Sequence, residues 1–458
     1  ISDKVGILEG GTQFRQISGL RVKNNFMLGG EDFVFHWGDP MATALNVRLR
    51  DDAEVYMESD DEESAPLLWS CDYGKGRFVV CNHGIVDKST RGLTSSAYAL
   101  LEDVAIYPVI NASVFYLDDF PSPVPMGDSR YIRQGFNRDI SSFYSNVWWP
   151  NMLELSEDYG IRFTGAVIES YGEEVTVNFP KATDIERFNY FGTTLLESGG
   201  EIGFHGYNHV PLCMNGFDFK NLVKYPTWAN EQYMAQSITE LDRYINELFP
   251  DSNPSCYVPP SNILSKEGRE MLKSNFPQIK TISSLYLEGK IEYAQEFEVA
   301  SDGIIELPRV ISGAAFDEYT RWQALNALNM YYINSHFIHP DDVLDVDRGA
   351  EMGWTQLYAN LRKYCDWLYT AVPDIKNSTA SEAAKAVQRF DTVSIEREDH
   401  EGYINLRIGG LYDEAYFIVR LNSSVVTDVQ GGTIEPIDRK ICLLKANSSN
   451  VKISIRRN

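Results

Sequence analysis

Between residues 111 and 374, short unbroken apolar runs alternate with longer stretches in which apolar residues recur every three or four positions. An apolar run of about four to eight residues bounded by turn formers suits a strand buried on both faces, and the longer period suits a helix with one apolar stripe. The runs predict strands at 114–117, 162–168, 201–204, 256–258, 280–283, 304–309 and 331–337. The periodic stretches predict helices over 149–158, 184–198, 230–248, 265–274 and 354–369. Strands separated by helices imply stacked βα units, so this region is expected to form a barrel-like parallel sheet.

The flanks read differently. The first 110 residues are mainly β, with alternating runs at 33–35 and 44–49, an acidic loop over 58–63 and a hairpin over 69–80 that turns at Tyr73-Gly74-Lys75-Gly76. A helix is expected over 95–101, closing an α/β layer. Beyond about Ala380 helical periodicity stops. Alternating runs at 393–395, 403–408, 415–421, 440–444 and 451–455 predict a small β-sandwich. Three units are therefore expected: 1–110, 111–380 and 381–458. That agrees with 458 residues, more than one compact core accommodates.

Charge narrows the partners. A formal charge of −24 argues against nucleic acid, whose phosphates need a basic surface, and equally against an anionic membrane surface. A neutral or cationic ligand fits better. No apolar run approaches the roughly 20 residues needed to span a bilayer, so membrane insertion is not expected. The chain opens on Ile1 with no charged-then-apolar leader, as a processed or excised form would. Six cysteines, Cys71, Cys81, Cys213, Cys256, Cys365 and Cys442, lack CxxC spacing, which disfavours a thiolate metal site. Cys71 and Cys81 flank the hairpin and could be neighbours, though free buried thiols are the simpler expectation. Oligomeric state is not legible.

The candidate chemistry lies where apolar runs end in charge. Phe115-Tyr116-Leu117 runs into Asp118 and Asp119, ahead of Phe120-Pro121. Neighbouring strand residues face opposite ways, so the two carboxylates are expected to divide the work, one holding a metal and the other handling a proton. His205 and His209 are four apart, the spacing that puts two imidazoles on one cation and leaves a position open to water once a carboxylate joins them. Four of the seven histidines fall in two short segments, the second being Ser335-His336-Phe337-Ile338-His339-Pro340-Asp341-Asp342. His36 and His83 have no carboxylate at ligand spacing and are expected to be structural. Taken singly, Asp-Asp after a strand is a loop start or helix cap, and two histidines four apart are common. Three such segments at the carboxyl ends of predicted strands, where barrels place their chemistry, favour a metal or proton-transfer site.

These residues resemble the polysaccharide deacetylase superfamily, the fold shared with rhizobial chitooligosaccharide deacetylases and carbohydrate esterase family four, over 111–374. The resemblance implies an α/β fold with a distorted (β/α)7 barrel. It makes Asp118 of Leu117-Asp118-Asp119 the catalytic base, Asp119 a metal ligand with His205 and His209, and His339 the catalytic acid in preference to His336. The third motif departs: Tyr257-Val258-Pro259-Pro260-Ser261-Asn262 lacks the family's arginine, for which Arg309 is a replacement or else a paired surface residue. The fourth motif's tryptophan is not recognisable near Ser283 to Tyr286. The chain looks closer to a divergent branch that joins a degenerate glutamine-amidotransferase-like segment to the deacetylase domain, and to deacetylases of aminosugar exopolysaccharides. An extracellular or cell-surface setting follows from that resemblance.

The expected reaction is metal-dependent de-N-acetylation of an N-acetylhexosamine polysaccharide. A divalent ion, zinc ahead of cobalt, nickel or iron, would polarise the acetyl carbonyl. Asp118 would take a proton from water and His339 would protonate the leaving amine, oriented by Asp341 or Asp342 if these do not simply cap the next helix. Pro259 and Pro260 carry no N–H, so a backbone donor to the oxyanion has to come from Val258, Ser261 or Asn262. Substrate contacts are expected from Tyr207, Pro260, Ser261, Asn262, Trp148 and Arg309. Tyr171 and Trp149 lie near the same groove, Trp149 equally as core packing. Two other classes stand beside this one. A non-haem iron oxygenase also uses two histidines and a carboxylate, but needs no second acid beside its ligand. A catalytically weak carbohydrate-binding protein of the same fold is disfavoured by the complete set of five residues.

Overall fold

The computed structural model describes residues 2–24, 26–36, 42–121, 127–176 and 178–457. At its centre lies a nine-stranded sheet in the order Glu298–Val299, Ile305–Glu306, Thr281–Ile282, Cys256–Tyr257, Glu201–Phe204, Phe163–Val167, Ala112–Phe120, Ile333–Ile338, Ile311–Ser312. All pairings are parallel except that of the first two strands. Each expected strand has a counterpart, most of them shorter, and two two-residue strands are added at the margins. Among the described residues the two margins do not pair with each other, so the sheet is curled and open rather than a closed seven-stranded barrel. Near one margin, Leu285 makes only isolated bridges to Ala294 and Arg309, too few ladder bonds to carry a closing strand. The Ala112–Phe120 strand lies inside the sheet and is buried at every position.

Helices Ile185–Glu197, Glu231–Leu248 and Lys266–Asn275 begin where Asp184, Asn230 and Ser265 accept the backbone N–H of Arg187, Tyr233 and Gly268. Trp149–Tyr159 and Gly353–Ala371 lie close to expectation. Two further long helices escape the sequence pattern. Glu318–Tyr331 buries Trp322, every residue from Ala324 to Asn329, and Tyr331, so it shows almost no polar face against which a stripe could be read. Ala380–Thr392 carries helix past the expected stop at Ala380; its buried stripe is mostly alanine, too small to stand out.

The N-terminal region is a five-stranded antiparallel sheet, ordered Val34–His36, Gly19–Val22, Glu54–Ser59, Pro66–Tyr73, Gly76–Cys81, beside a ribbon pairing Ile7–Ile17 with Ala42–Leu49. Helix Arg91–Ala99, starting earlier than expected, packs on Glu318–Tyr331 at Gly92, where a Cβ would stand 2.2 Å from the Asn326 carbonyl oxygen. Cys71 and Cys81 face Phe78 and Leu68 rather than each other; all six cysteines are free, and Cys81 is exposed, not buried. His36 does have carboxylate partners, Asp60 at 2.8 Å and Glu318 at 3.1 Å, brought together only by folding.

Beyond residue 392 two four-stranded sheets share one apolar core. One is ordered Ser394–His400, Tyr403–Gly409, Asn450–Arg457, Ser424–Gln430, and the other Gly432–Pro436, Ile441–Ala446, Ala415–Leu421, Val104–Val109. That last strand comes from the first 110 residues and runs through Ile110 and Asn111 directly into Ala112–Phe120. Among the described residues no helix is long and apolar enough to cross a membrane.

Candidate active site

Asp119, His205 and His209 converge at the carboxyl ends of Ala112–Phe120 and Glu201–Phe204. Asp119 Oδ1 stands 3.4 Å from His205 Nε2 and 3.5 Å from His209 Nε2, and the three ligand atoms all lie within 4.8 Å of one another. The Val258 carbonyl accepts from His205 Nδ1 at 2.8 Å, so that nitrogen carries the proton and the Nε2 lone pair faces the cluster. Asp119 Oδ1 and His205 Nε2 are buried without a hydrogen-bond partner among the described residues. Unpaired acceptors facing a common point fit a divalent cation. Burial lowers His209 to about 4, leaving it a neutral imidazole near pH 7. Burial would raise the Asp119 carboxyl, but His209 and His205 outweigh it and hold it well below the usual range.

Strand alternation would turn Asp118 and Asp119 apart, yet both face the same group of histidines. Asp119 takes the left-handed conformation at φ 55°, and the register with Phe163–Val167 slips between Gly165 and Val167. This irregularity re-aims a side chain at the strand end, as bulges beside active sites do. His209, Ser261 and Asn262 are left-handed too, at φ 57°, 50° and 59°. Such conformations in non-glycine residues persist where surrounding structure enforces them.

Asp118 is 1% exposed, accepts from Arg309 Nη1 at 2.5 Å and faces His339 Nε2 at 3.6 Å. Burial pushes its carboxyl up; the charges of Arg309, His205 and His339 push it further down, and it ends below the ordinary value. Arg309 is itself buried, also donates to Asn262 Oδ1 and lies over the Phe337 ring at 4.1 Å. It is no surface arginine, and its charge is directed to Asp118 and Asn262 rather than outward. His339 Nδ1 lies 3.3 Å from Asp342 Oδ1, and its backbone N–H donates to Asp342 Oδ2 at 3.1 Å. Asp341 turns instead to Arg348 at 2.9 Å. Burial opposes charge on His339, but Asp342 and Asp118 overcome it and raise the imidazole. His336 points elsewhere: its Nε2 donates to the Gly313 carbonyl at 2.7 Å, its ring packs among Phe115, Phe316 and Tyr364, and burial lowers it to about 4.

The expected groove residues divide. Trp148 is buried against Tyr144, Trp149 and Trp354, and Trp149 is buried with Nε1 donating to Thr194 Oγ1 at 3.0 Å. Tyr207 is also buried, its hydroxyl on the Pro180 carbonyl and its ring on Phe179. Neither Trp148 nor Tyr207 has a ring face free for a sugar. Helical neighbours take the faces of Trp148 and the loop residues Phe179 and Pro180 cover Tyr207, which sequence position cannot show. Pro260 is buried as well, its ring 3.0 Å from where a Cβ of Gly206 would stand. Tyr171 keeps 41% exposure with its ring 6.4 Å from that of His209. Within the Val258–Asn262 loop, the N–H groups of Val258 and Asn262 donate to the carbonyls of Phe204 and Pro259, leaving that of Ser261 without an acceptor among the described residues. Tyr225 was not singled out from sequence: its hydroxyl is 2.6 Å from Ser261 Oγ and 3.4 Å from His209 Nδ1. It sits in a stretch of turns with no periodic signal that could have marked it.

Solved structures resemble the chain weakly. A Mycobacterium smegmatis protein provisionally assigned as a polysaccharide deacetylase aligns over 61% of this chain and 93% of its own at 16% identity and TM-score 0.39. The family 4 carbohydrate esterase from Streptomyces lividans, solved with acetate, aligns over 56% and 91% at 9% identity and 0.28. A glycoside hydrolase family 30 xylanase from Clostridium acetobutylicum reaches 0.33 at 8% identity over 77% and 98%. Likeness at this level does not separate these fold types. Comparison with curated proteins returns no significant match. The model of one family, DUF2194, uncharacterised protein conserved in bacteria, matches residues 17–443, and the chain belongs to that family.

Proposed function

We propose that this chain is a metal-dependent hydrolase that removes N-acetyl groups from an N-acetylhexosamine-containing polysaccharide in an extracellular or cell-surface setting. One observation carries the proposal: an Asp119–His205–His209 cluster with unpaired acceptors lies beside a separate acid–base pair, Asp118 and His339. A divalent ion held by that cluster, zinc by preference for two imidazoles and a carboxylate, would supply Lewis acidity to a carbonyl and to water. Asp118, kept ionised by Arg309, accepts the proton of the attacking water. His339, oriented by Asp342 and raised toward protonation, donates to the leaving amine. The Ser261 N–H serves the developing oxyanion. A base standing apart from the ligand set suits hydrolysis better than an iron oxygenase, whose chemistry needs no such neighbour.

Elemental analysis paired with acetate release from N-acetylglucosamine oligomers tests this. About one transition-metal ion per chain is expected, with His209→Ala losing most of the metal and the acetate release while circular dichroism is unchanged. Unaltered metal content in that variant, or a metal-loaded protein that releases no acetate from any N-acetylhexosamine oligomer, would sink the proposal.

A further inference from the structure

Away from the metal cluster, the N-terminal sheet and the C-terminal sheets meet around a cavity of about 640 Å³. Arg420, on the Ala415–Leu421 strand, lines it while only 2% exposed. An Nη of Arg420 donates to the Phe26 carbonyl and its Nε has no partner, and among the described residues no carboxylate lies within ion-pair distance. The other deeply placed arginines differ. Arg309 is set on Asp118, and Arg269 on Glu306 and Asp302. A buried guanidinium with no carboxylate in contact is costly to keep, and this one forms part of the wall of a space large enough for a small ligand. Burial lowers the Arg420 pKa, and the charges of Tyr107, Asp438 and Tyr56 offset it only in part.

The rest of the lining sets the charge of what could enter. Arg439 and Lys440 add two cations; Glu31, Glu54 and Asp438 add three carboxylates. Glu54 accepts from the Tyr56 hydroxyl at 2.8 Å, and Asp438 Oδ1 from the N–H groups of Lys440 and Ile441 at 2.7 Å each. Three cations facing three carboxylates leave no positive excess to match a dianion, whereas a monoanion needs only the one guanidinium of Arg420. Guanidinium matches the planar carboxylate fork, and Asn24, Tyr56 and Glu54 offer polar partners to hydroxyls. We infer that the cavity is a binding site for a sugar acid, a hydroxylated carboxylate monoanion of monosaccharide size, with its carboxylate against Arg420. The inference does not depend on the proposed hydrolysis.

Calorimetric titration of the full chain with glucuronate, glucose and inorganic phosphate tests it. Glucuronate is expected to bind one site about tenfold or more tightly than glucose or phosphate. Arg420→Met should cost about tenfold or more in glucuronate affinity with metal content unchanged. Should loss of the contact to Phe26 prevent that variant from folding, the double variant Arg439→Ala/Lys440→Ala leaves Arg420 and its contact to Phe26 in place; it should bind glucuronate about threefold or more weakly, with a shallower salt dependence. The inference is overturned by glucuronate binding no tighter than glucose, by phosphate binding tighter than glucuronate, or by glucuronate affinity untouched in every variant that folds.

Discussion

Asp118 and Arg309 depend on each other across 191 residues of chain. Asp118→Asn should keep the metal, since Asp118 is outside the ligand cluster, and lose about 10²- to 10⁴-fold in acetate release; activity within a few-fold of wild type would assign the proton to another group. Arg309→Met would take from a buried carboxylate its nearest cation and should lower stability by about 3–5 kcal/mol, read as a fall in the urea midpoint. Glu169 supplies a pH dependence of its own. It is buried, its Oε1 accepts from the Ala182 N–H at 3.0 Å, its nearest cation is Arg243 at 3.8 Å, and burial pushes its carboxyl up to about 7. Its folded pKa lies above the ordinary 4.5, so the unfolded chain releases this proton first as pH rises. The contribution is full below about 4.5 and is lost through about 7. Urea midpoints should therefore fall more between about pH 5 and pH 7.5 for wild type than for Glu169→Gln; parallel curves would mean that Glu169 is already ionised in the fold.

Between elements, helix Arg91–Ala99 comes close against helix Glu318–Tyr331, an approach allowed by Gly92. A methyl group there would meet the Asn326 backbone at 2.2 Å, which has no rotamer by which to yield. Gly92→Ala should force the helices apart at about 1–3 kcal/mol, visible as a lower thermal midpoint. Glu318–Tyr331 leads into the strand before His339, so acetate release should fall with it; an unchanged midpoint would show that the helices can separate freely. The same helix shows why some elements were unreadable. Ile185–Glu197, Glu231–Leu248 and Lys266–Asn275 announce themselves by a capping side chain and a one-sided stripe. Glu318–Tyr331 has the cap, Asp317 to the Thr320 N–H, but is wrapped almost all round and has no stripe. Glu298–Val299 and Ile311–Ser312 are two residues each, too short for any period.

At the scale of the whole molecule, Val104–Val109 binds the two ends of the chain together by pairing with Ala415–Leu421. Ending the chain after Thr392 would leave that strand unpaired and strip Val104 of the apolar core it shares with Phe417, Val419 and Leu444. Residues 1–392 should therefore fail to give a soluble, cooperatively unfolding species by size exclusion and circular dichroism; one that does would show the C-terminal sheets to be dispensable. By itself the sequence determined what short-range patterns can carry: alternating strands and helices, a buried strand ending in Asp118-Asp119, and two histidines four residues apart. Such features depend on backbone period and ligand spacing, both local. Only the tertiary structure decided that a bulge at Asp119 turns both carboxylates to one site and that Arg309 lies on Asp118. It alone decided that Trp148 and Tyr207 are walled in and that a strand from the first 110 residues completes a sheet of the last 80. These follow from which surfaces meet once the chain has closed on itself, and no local period encodes that.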